Sequence, residues 1–195
     1  LYMDPLAQKL CANARIKGIP FGPNTHKITM YADDVIFLLT DPETSFPAVI
    51  DEITRFGTVS GFQLNLAKSV ILNLTVPMSV RLQLQTALSI QWATQSIPYL
   101  GISIASSFSV MAQLNYSSLL TSTKEDLRKW SNMGLSWFGR IAAIKMTTLP
   151  HLLHVFQTLP ISPPQGALSR LQREINSFIW ERRRPRMSAR QSYRH

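Results

Sequence analysis

Short apolar runs alternate with helical patterns through the first half of the chain. Leu6, Leu10 and Ala14 recur at four-residue steps, which predicts the later part of a helix. Glycine, proline and asparagine then interrupt residues 18–24, which predicts a loop. Residues 27–39 hold two β-prone runs around a pair of acids, and the second run is continuously apolar. This segment therefore predicts a β-hairpin with a buried strand.

Further elements of both kinds follow the hairpin. Helical spacing, strict alternation and short apolar runs succeed one another up to about residue 105. The predicted elements are a helix over 46–56 that ends at Gly61, strands over 62–66 and 70–74, a helix over 78–90, and a strand of a second hairpin over 99–102.

After about residue 110 the pattern becomes helical. Apolar and aromatic residues recur at helical spacing in three segments, and prolines between residues 160 and 164 precede the last one. The predicted helices span residues 116–130, 137–144 and 168–179. The pattern therefore predicts an α+β first half, residues 1–110, and a helical second half, residues 111–195.

Charge separates the two halves more sharply than hydropathy does. The chain carries 20 Lys and Arg against 11 Asp and Glu, a formal net charge of +9. Residues 1–123 hold 7 basic and 7 acidic side chains, whereas residues 124–195 hold 13 basic and 4 acidic ones. A basic segment of this kind favours a polyanionic partner, either nucleic acid or an anionic membrane surface. A solvated basic face or tail is the alternative interpretation.

Composition excludes several classes of protein. With 45% hydrophobic residues the chain can form a core and does not resemble a disordered one. No run approaches 18 apolar residues, so no transmembrane helix is predicted. The single cysteine, Cys11, excludes an internal disulfide and a cysteine-rich zinc site. The chain begins at Leu1 without a signal-peptide pattern, and we expect it to be a piece of a longer protein.

Asp33 and Asp34 stand together at the predicted tip of the first hairpin. Neighbouring strand residues point to opposite faces, but a tight turn can bring both carboxylates towards one cleft. Two close carboxylates repel each other unless a cation or a proton intervenes, and Mg²⁺ prefers such oxygen ligands together with substrate phosphates. The pair therefore indicates phosphoryl chemistry with two metal ions. A polar hairpin turn is the structural alternative, because Asp is a common turn residue.

The segment around these acids resembles the active-site hairpin of reverse transcriptases, because the sequence YADD at residues 31–34 lies between two apolar runs. Later segments, in the same order, resemble motifs of LINE-type non-LTR retrotransposon enzymes. They are residues 61–65 with Lys68 and Ser69 (strand-and-lysine motif), 99–102 (primer-grip hairpin), 136–140, 145–146 and 149–150 (thumb), and 178–180 with 182–184 (the segment beyond the thumb).

The resemblance implies a fold and a catalytic site. Residues 1–110 correspond to the C-terminal part of an α+β polymerase palm, and residues 111–195 to a helical thumb with the start of a connector. Asp33 corresponds to a catalytic Mg²⁺ ligand, with Asp34 as its motif neighbour. Lys68 corresponds to a residue near the incoming triphosphate that donates a proton to pyrophosphate, although a surface lysine at a strand end is an equal alternative.

The resemblance also implies contacts with primer and template. Tyr31 lies beneath the primer strand, and Ala32 is the small residue that allows its close approach. Tyr99, Leu100 and Gly101 belong to the hairpin that positions the primer 3′ end. Basic residues of the thumb grip the duplex through its backbone. They are Lys124, Arg128, Lys129, Arg140, Lys145, Arg182, Arg183, Arg184 and Arg186.

The implied activity is that of an RNA-directed DNA polymerase. The primer 3′-hydroxyl attacks the α-phosphorus of a deoxynucleoside triphosphate with the help of two Mg²⁺ ions, on an RNA template, in the nucleus and without a membrane partner. The family draws a further Mg²⁺ ligand from a strand upstream of Leu1, so we expect this fragment alone to be inactive. The alternatives are an inactive nucleic-acid-binding remnant of a degenerate element and, less favoured, a helical interaction module.

Two other groups of residues admit a functional interpretation. His151 and His154 are three residues apart, but no third metal ligand accompanies them, so packing or a surface role is favoured over zinc binding. Trp130, Trp137 and Trp180 have the aromatic rings that stack on bases, but their apolar helical faces favour core packing.

Overall fold

The structure, a computed structural model, describes residues 2–32, 34–87 and 90–181. Packing divides the chain into a first unit, Leu1–Ile71 with Thr75–Trp92, and a second unit, Leu72–Leu74 with Ala93–His195. The secondary structure is mixed α and β, which agrees with the predicted α+β class. The functional division at residue 110 into palm and thumb remains a prediction.

The first unit is built on two helices, α1 (Asp4–Ala12) and α2 (Pro42–Ser60). Their facing apolar residues bury one core, which the sequence spacing predicts. Its buried members are Leu6, Leu10, Ile16, Ala48, Val49 and Ile53. Gly61 ends α2 in the left-handed region, with φ of 74°, a conformation that glycine adopts without steric cost.

Two hairpins lie between these helices in sequence. The first joins β1 (Ile19–Phe21) to β2 (Asn24–His26), and the second joins β3 (Ile28–Tyr31) to β4 (Asp34–Phe37). Both are antiparallel pairs. The predicted hairpin over 27–39 is therefore confirmed.

The predicted strand over 62–66 is wrong. Phe62 and Leu64 pack against the α1–α2 core, and Gln63 between them is exposed, so the alternation of burial is present. No ladder forms along this segment, however, and it ends in a turn over residues 66–68. Alternation reports which side chains are buried, whereas a strand also needs a hydrogen-bonded partner.

The remaining strands come in pairs as well. β5 (Val70–Leu72) pairs with β6 (Gln91–Ala93), and α3 (Met78–Ala87) lies between them in sequence. β7 (Ser96–Tyr99) pairs antiparallel with β8 (Ile102–Ala105). The segment predicted as a strand over 99–102 is therefore the tip of a hairpin, because Tyr99 ends one strand and Ile102 begins the next.

Helices make up the rest of the second unit, as predicted. α4 (Phe108–Ser131) is followed by α5 (Trp137–Ala143), a π-helical segment (Ile144–Thr148), α6 (Leu149–Thr158) and α7 (Ala167–Ile179). Residues of α4, α6 and α7 meet in a core that includes Tyr116, Leu119, Leu152 and Leu171. In the part of the chain that the structure describes, no helix is long and apolar enough to cross a membrane.

Candidate functional site: an acidic hairpin and a basic helical surface

The acidic hairpin turns between Tyr31, which ends β3, and Asp34, which begins β4. Tyr31 and Asp34 are directly opposed across the β3–β4 ladder, so both side chains project from the same face. Ala32 has a φ of 51°, in the left-handed region that the first position of a two-residue hairpin turn requires. Asp33 lies outside the residues that the structure describes.

The two faces of this hairpin differ in their surroundings. Ile28 and Phe37, an opposed pair, pack against the α1–α2 core. Tyr31 is 64% exposed on the other face, and Asp34 beside it is exposed too. Burial of the face with Ile28 and Phe37 therefore fixes the direction of the face with Tyr31 and Asp34. A shift of one residue in the strand register would expose the apolar side chains and bury the polar ones.

Lys27 ties the base of the hairpin to α1. Its ammonium donates hydrogen bonds to the carbonyl oxygens of Cys11, at 2.7 Å, and Asn13, at 2.8 Å. These carbonyls lie at the C-terminal end of α1, where helix carbonyls lack intrahelical partners and a cation is favoured. The contact places the start of β3 beside the end of the helix. Sequence reasoning missed this lysine, because the carbonyls that it satisfies lie 14 and 16 residues away.

The Asp34 carboxylate suits a hard cation. No hydrogen bond or salt bridge engages it among the described residues. Mg²⁺ takes oxygen ligands and is often held by one or two carboxylates together with waters and substrate phosphates, so this donor fits the ion. Elsewhere in the described ranges, no three His, Cys, Asp or Glu side chains form a group that could hold a metal ion.

Lys68 lies in the turn that follows the Phe62–Leu64 segment. Its side chain is exposed, and its backbone amide donates to the Asn65 side-chain oxygen at 3.1 Å. Within the described part of the chain its ammonium has no hydrogen-bonding or ionic partner, and no hydrogen bond joins it to Tyr31 or Asp34. The Lys68 amine is therefore available to an anion such as a phosphate.

The second hairpin turn is held from a distant helix. Leu100 and Gly101 form its two-residue loop with φ of 46° and 81°, the pattern of a type I′ turn. His154 of α6 places Nε2 at 2.9 Å from the Leu100 carbonyl oxygen, and a Cβ on Gly101 would lie 3.2 Å from that nitrogen. The Tyr99 hydroxyl is buried and meets no hydrogen-bond partner among the described residues.

Asn115 of α4 supports the same hairpin from the side. Its Oδ1 accepts from the Ser103 amide at 2.8 Å, and its Nδ2 donates to the Ser103 carbonyl oxygen at 2.7 Å. The buried side chain thus replaces a neighbouring strand at the edge of β8. Sequence reasoning missed Asn115 and, although it favoured packing or a surface role for His154, it did not place that histidine at this turn, because neither contact lies within a local motif.

The basic residues assigned to the nucleic-acid surface differ in their surroundings where the structure describes them. Arg128 and Lys145 are exposed and have no ionic partner among the described residues. Lys124 pairs with Glu174 at 3.2 Å, and Lys129 pairs with Asp126 of its own helix at 3.2 Å. Arg182, Arg183, Arg184 and Arg186 lie outside the described residues.

Arg140 is the exception, because it is buried. Its side chain donates to the Phe178 carbonyl oxygen at 3.4 Å and to the Glu181 carboxylate. The guanidinium also lies over the Phe178 ring, 5.9 Å from its centre. In this conformation Arg140 joins α5 to the end of α7, and its predicted contact with a phosphate requires that these bonds open.

The contacts of the two histidines and of Trp137 show what each of these side chains packs against. His151 Nδ1 lies 3.5 Å from the Ser122 hydroxyl, whereas His154 reaches the Leu100 carbonyl, so the two histidines serve different partners. Trp137 is 40% exposed, and its ring contacts Trp180 and Phe138 with centroid distances of 6.1 Å and 5.0 Å. The predicted core packing of Trp137 is therefore only partial, because its ring packs against two aromatic neighbours and also reaches solvent.

No protein-family model matches the chain. Its functional interpretation therefore rests on the ordered motifs and on the geometry of the two surfaces.

Proposed function

We propose that this chain is part of an RNA-directed DNA polymerase of the LINE-type non-LTR retrotransposon class, with the acidic hairpin as its catalytic element. The geometry of the turn carries the proposal. It opposes Tyr31 and Asp34 on one exposed face, while the other face is anchored on the α1–α2 core. A substrate strand can approach the exposed face without displacing any part of the first unit's core.

The residues of the hairpin divide the work of nucleotide addition. Asp33 and Asp34 would hold Mg²⁺, which when bound supplies activation of the primer hydroxyl and neutralisation of the leaving pyrophosphate. Tyr31 supports the primer strand, and Ala32 offers a methyl group where a larger side chain would block that strand. Lys68 donates a proton to an oxygen of pyrophosphate.

A second candidate function is nucleic-acid binding without catalysis, in a remnant of a degenerate element. The exposed cations Arg128 and Lys145 of the second unit favour it, because phosphate binding needs no acidic hairpin. The two functions differ in one respect that can be measured. Only the polymerase requires the carboxylates of Asp33 and Asp34.

The test joins the chain to the fingers and upstream palm strand of an active LINE-type enzyme, in place of that enzyme's own corresponding segment. RNA-templated extension of a labelled DNA primer is then measured with Mg²⁺. Asp33→Asn keeps the shape but removes a charged metal ligand, so extension should fall on the order of a thousandfold or more. Asp34→Asn should also reduce it severely.

Asp51→Asn is the matched control, because Asp51 is an exposed carboxylate of α2 that pairs only loosely with Arg15, at 3.5 Å. It should leave extension within about twofold of the unsubstituted chimera. Near-normal extension by the Asp33→Asn protein would refute the metal-ligand assignment. A chimera that binds the template–primer duplex but never extends it would favour the non-catalytic remnant.

A further inference from the structure

The second unit has a groove between α4 and α7 that the acidic hairpin does not explain. Its volume is about 490 Å³. Leu120 and Lys124, one helical turn apart on α4, form one wall. Residues of α7 at helical spacing form the other wall. They are Arg170, Arg173, Glu174 and Ser177.

Cations exceed acids in this groove. Lys124, Arg170 and Arg173 face a single carboxylate, that of Glu174, which pairs with the Lys124 ammonium at 3.2 Å. The Arg173 side chain donates only its Nε, to the Ser169 carbonyl oxygen at 3.3 Å, and the Arg170 guanidinium has no hydrogen-bonding or ionic partner among the described residues. Two exposed guanidinium groups therefore retain their terminal N–H donors.

We propose that this groove binds backbone phosphates of a nucleic acid, with Arg170 and Arg173 as its principal donors. The guanidinium fork matches the paired oxygens of a phosphate and is only weakly hydrated, so it releases water readily. The half-buried Ser177 hydroxyl offers a further donor inside the groove. The inference rests on the proposed function in taking nucleic acid as the polyanion.

The shape of the site favours a strand over a membrane. The two arginines, the lysine and Leu120 line a concave surface between helices, and a chain of phosphates can enter it. A lipid surface is broad and binds best to exposed convex cationic faces or amphipathic helices. Phosphate binding of this kind reads the backbone and carries no base preference.

The Glu174 carboxylate competes with an incoming phosphate for the Lys124 ammonium. The carboxylate pairs with this ammonium, so a phosphate that enters the groove must share or displace that ion pair. Removal of the carboxylate charge releases Lys124 and reduces local repulsion. Glu174→Gln should therefore tighten nucleic-acid binding, whereas loss of the arginines should weaken it.

The experiment measures binding of a fluorescein-labelled RNA–DNA duplex by anisotropy across a salt series. Arg170→Gln/Arg173→Gln should lower affinity at least tenfold at low salt and reduce the salt slope by about 1.8, or 0.9 for each lost phosphate contact. Arg170→Lys/Arg173→Lys keeps the charges and should retain most of the slope. Glu174→Gln should raise affinity severalfold.

Arg15→Gln/Arg55→Gln is the control, since it removes the same charge from exposed positions of the first unit. Equal losses in the two glutamine pairs would show that only net charge matters and would overturn the site. Weaker binding by Glu174→Gln would do so as well. Binding to vesicles of phosphatidylserine and phosphatidylcholine that is lost in the groove variant, with duplex binding kept, would assign the groove to lipid instead.

These outcomes are separable from the proposed function. Duplex binding by anisotropy reports on the groove and primer extension reports on the catalytic element, and the groove variants change no residue of the acidic hairpin. If the groove variants bind the duplex normally but primer extension depends on Asp33, the groove proposal is wrong and the polymerase assignment is kept. If the groove variants bind weakly but extension does not depend on Asp33, the groove proposal is kept and the catalytic assignment is wrong.

Discussion

Asp41 stands directly before α2 and is held by a lysine from the preceding loop. The Lys17 ammonium lies 2.9 Å from Asp41 Oδ2, and this hydrogen-bonded pair lowers the pKa of Asp41 below its ordinary value of 3.8. A carboxyl whose pKa is lower in the folded state stabilises the fold above its unfolded pKa. That contribution is lost as the pH falls through the folded pKa.

We therefore expect Asp41→Asn to lower the urea midpoint of the first unit slightly at neutral pH. The difference from the unsubstituted chain should shrink as the pH falls below 3.8 and then disappear, because the native carboxyl also becomes neutral. Asp51→Asn, whose pair with Arg15 is longer, is the control and should change the midpoint less. A difference that stays constant with pH would mean that the contact is not electrostatic.

At the residue scale, charge alone does not assign a role. Arg128 and Arg140 both fit the predicted basic surface, yet Arg128 is exposed while Arg140 is buried against Phe178 and Glu181. Those partners are 38 and 41 residues along the chain from Arg140, so no local sequence pattern predicts these contacts. The position of Asp34 was more predictable, because the apolar run after it had to be buried.

Each sheet in the described residues contains two strands, and a two-stranded sheet is only marginally stable by itself. The structure supports the acidic hairpin β3–β4 and the hairpin β7–β8 by different means. Burial of one apolar face holds β3–β4, whereas β7–β8 combines packing of Ile102 against the core of the second unit with hydrogen bonds from Asn115. Apolar burial shows in the hydropathy pattern, and the hydrogen bonds of Asn115 do not.

Asn115→Ala tests the support of the second hairpin. The change leaves the Ser103 amide and carbonyl without their partner inside the fold, at a cost of about 1–3 kcal/mol for each buried group. We expect the free energy of unfolding to fall by roughly 2–4 kcal/mol and the Ser103 amide to lose protection from hydrogen exchange. Gln113→Ala, an exposed position on the same helix, should change stability by less than about 0.5 kcal/mol. Unchanged protection at Ser103 would show that the asparagine does not support β8.

At the scale of elements, the sequence pattern predicted the helices α4, α5 and α7 but no helix at α6, and it did not separate the two strands that meet at residues 99–102. Leu100 stands at a φ of 46°, which leucine rarely adopts, so Gly101 is the only usual turn residue over 99–102. The structure accommodates this turn because His154 binds the Leu100 carbonyl from α6. Contacts of this range arise from tertiary packing and leave no periodicity in the sequence.

At the scale of the whole molecule, charge is distributed unevenly along the chain. All of the +9 surplus falls within residues 124–195, in the second unit. Part of it is neutralised internally, since Lys124, Lys129 and Arg140 each pair with a carboxylate. Under the proposed function, the cations available to a nucleic acid are therefore those that stay unpaired, together with the arginines of residues 182–186, which lie outside the described residues.

The salt dependence of nucleic-acid binding separates these two contributions. Each phosphate neutralised releases condensed counterions, so the logarithm of affinity falls linearly with the logarithm of salt concentration, by about 0.9 per contact on duplex DNA. With about four to six contacts, affinity for the duplex should fall on the order of a hundred- to a thousandfold between about 50 and 200 mM salt. Sequence preference should be slight, because phosphate contacts do not read bases.

Replacement of Arg182, Arg183, Arg184 and Arg186 by Ala shows where those contacts lie. If these arginines bind phosphates, the variant should have a smaller salt slope and should bind all duplex sequences more weakly to the same extent. An unchanged slope would assign the contacts to the helices instead, with Arg128, Lys145 and the groove arginines Arg170 and Arg173 as the donors. Binding by the unsubstituted chain that does not vary with salt would contradict the electrostatic explanation in both forms, because neither set of cations can neutralise phosphates without releasing counterions.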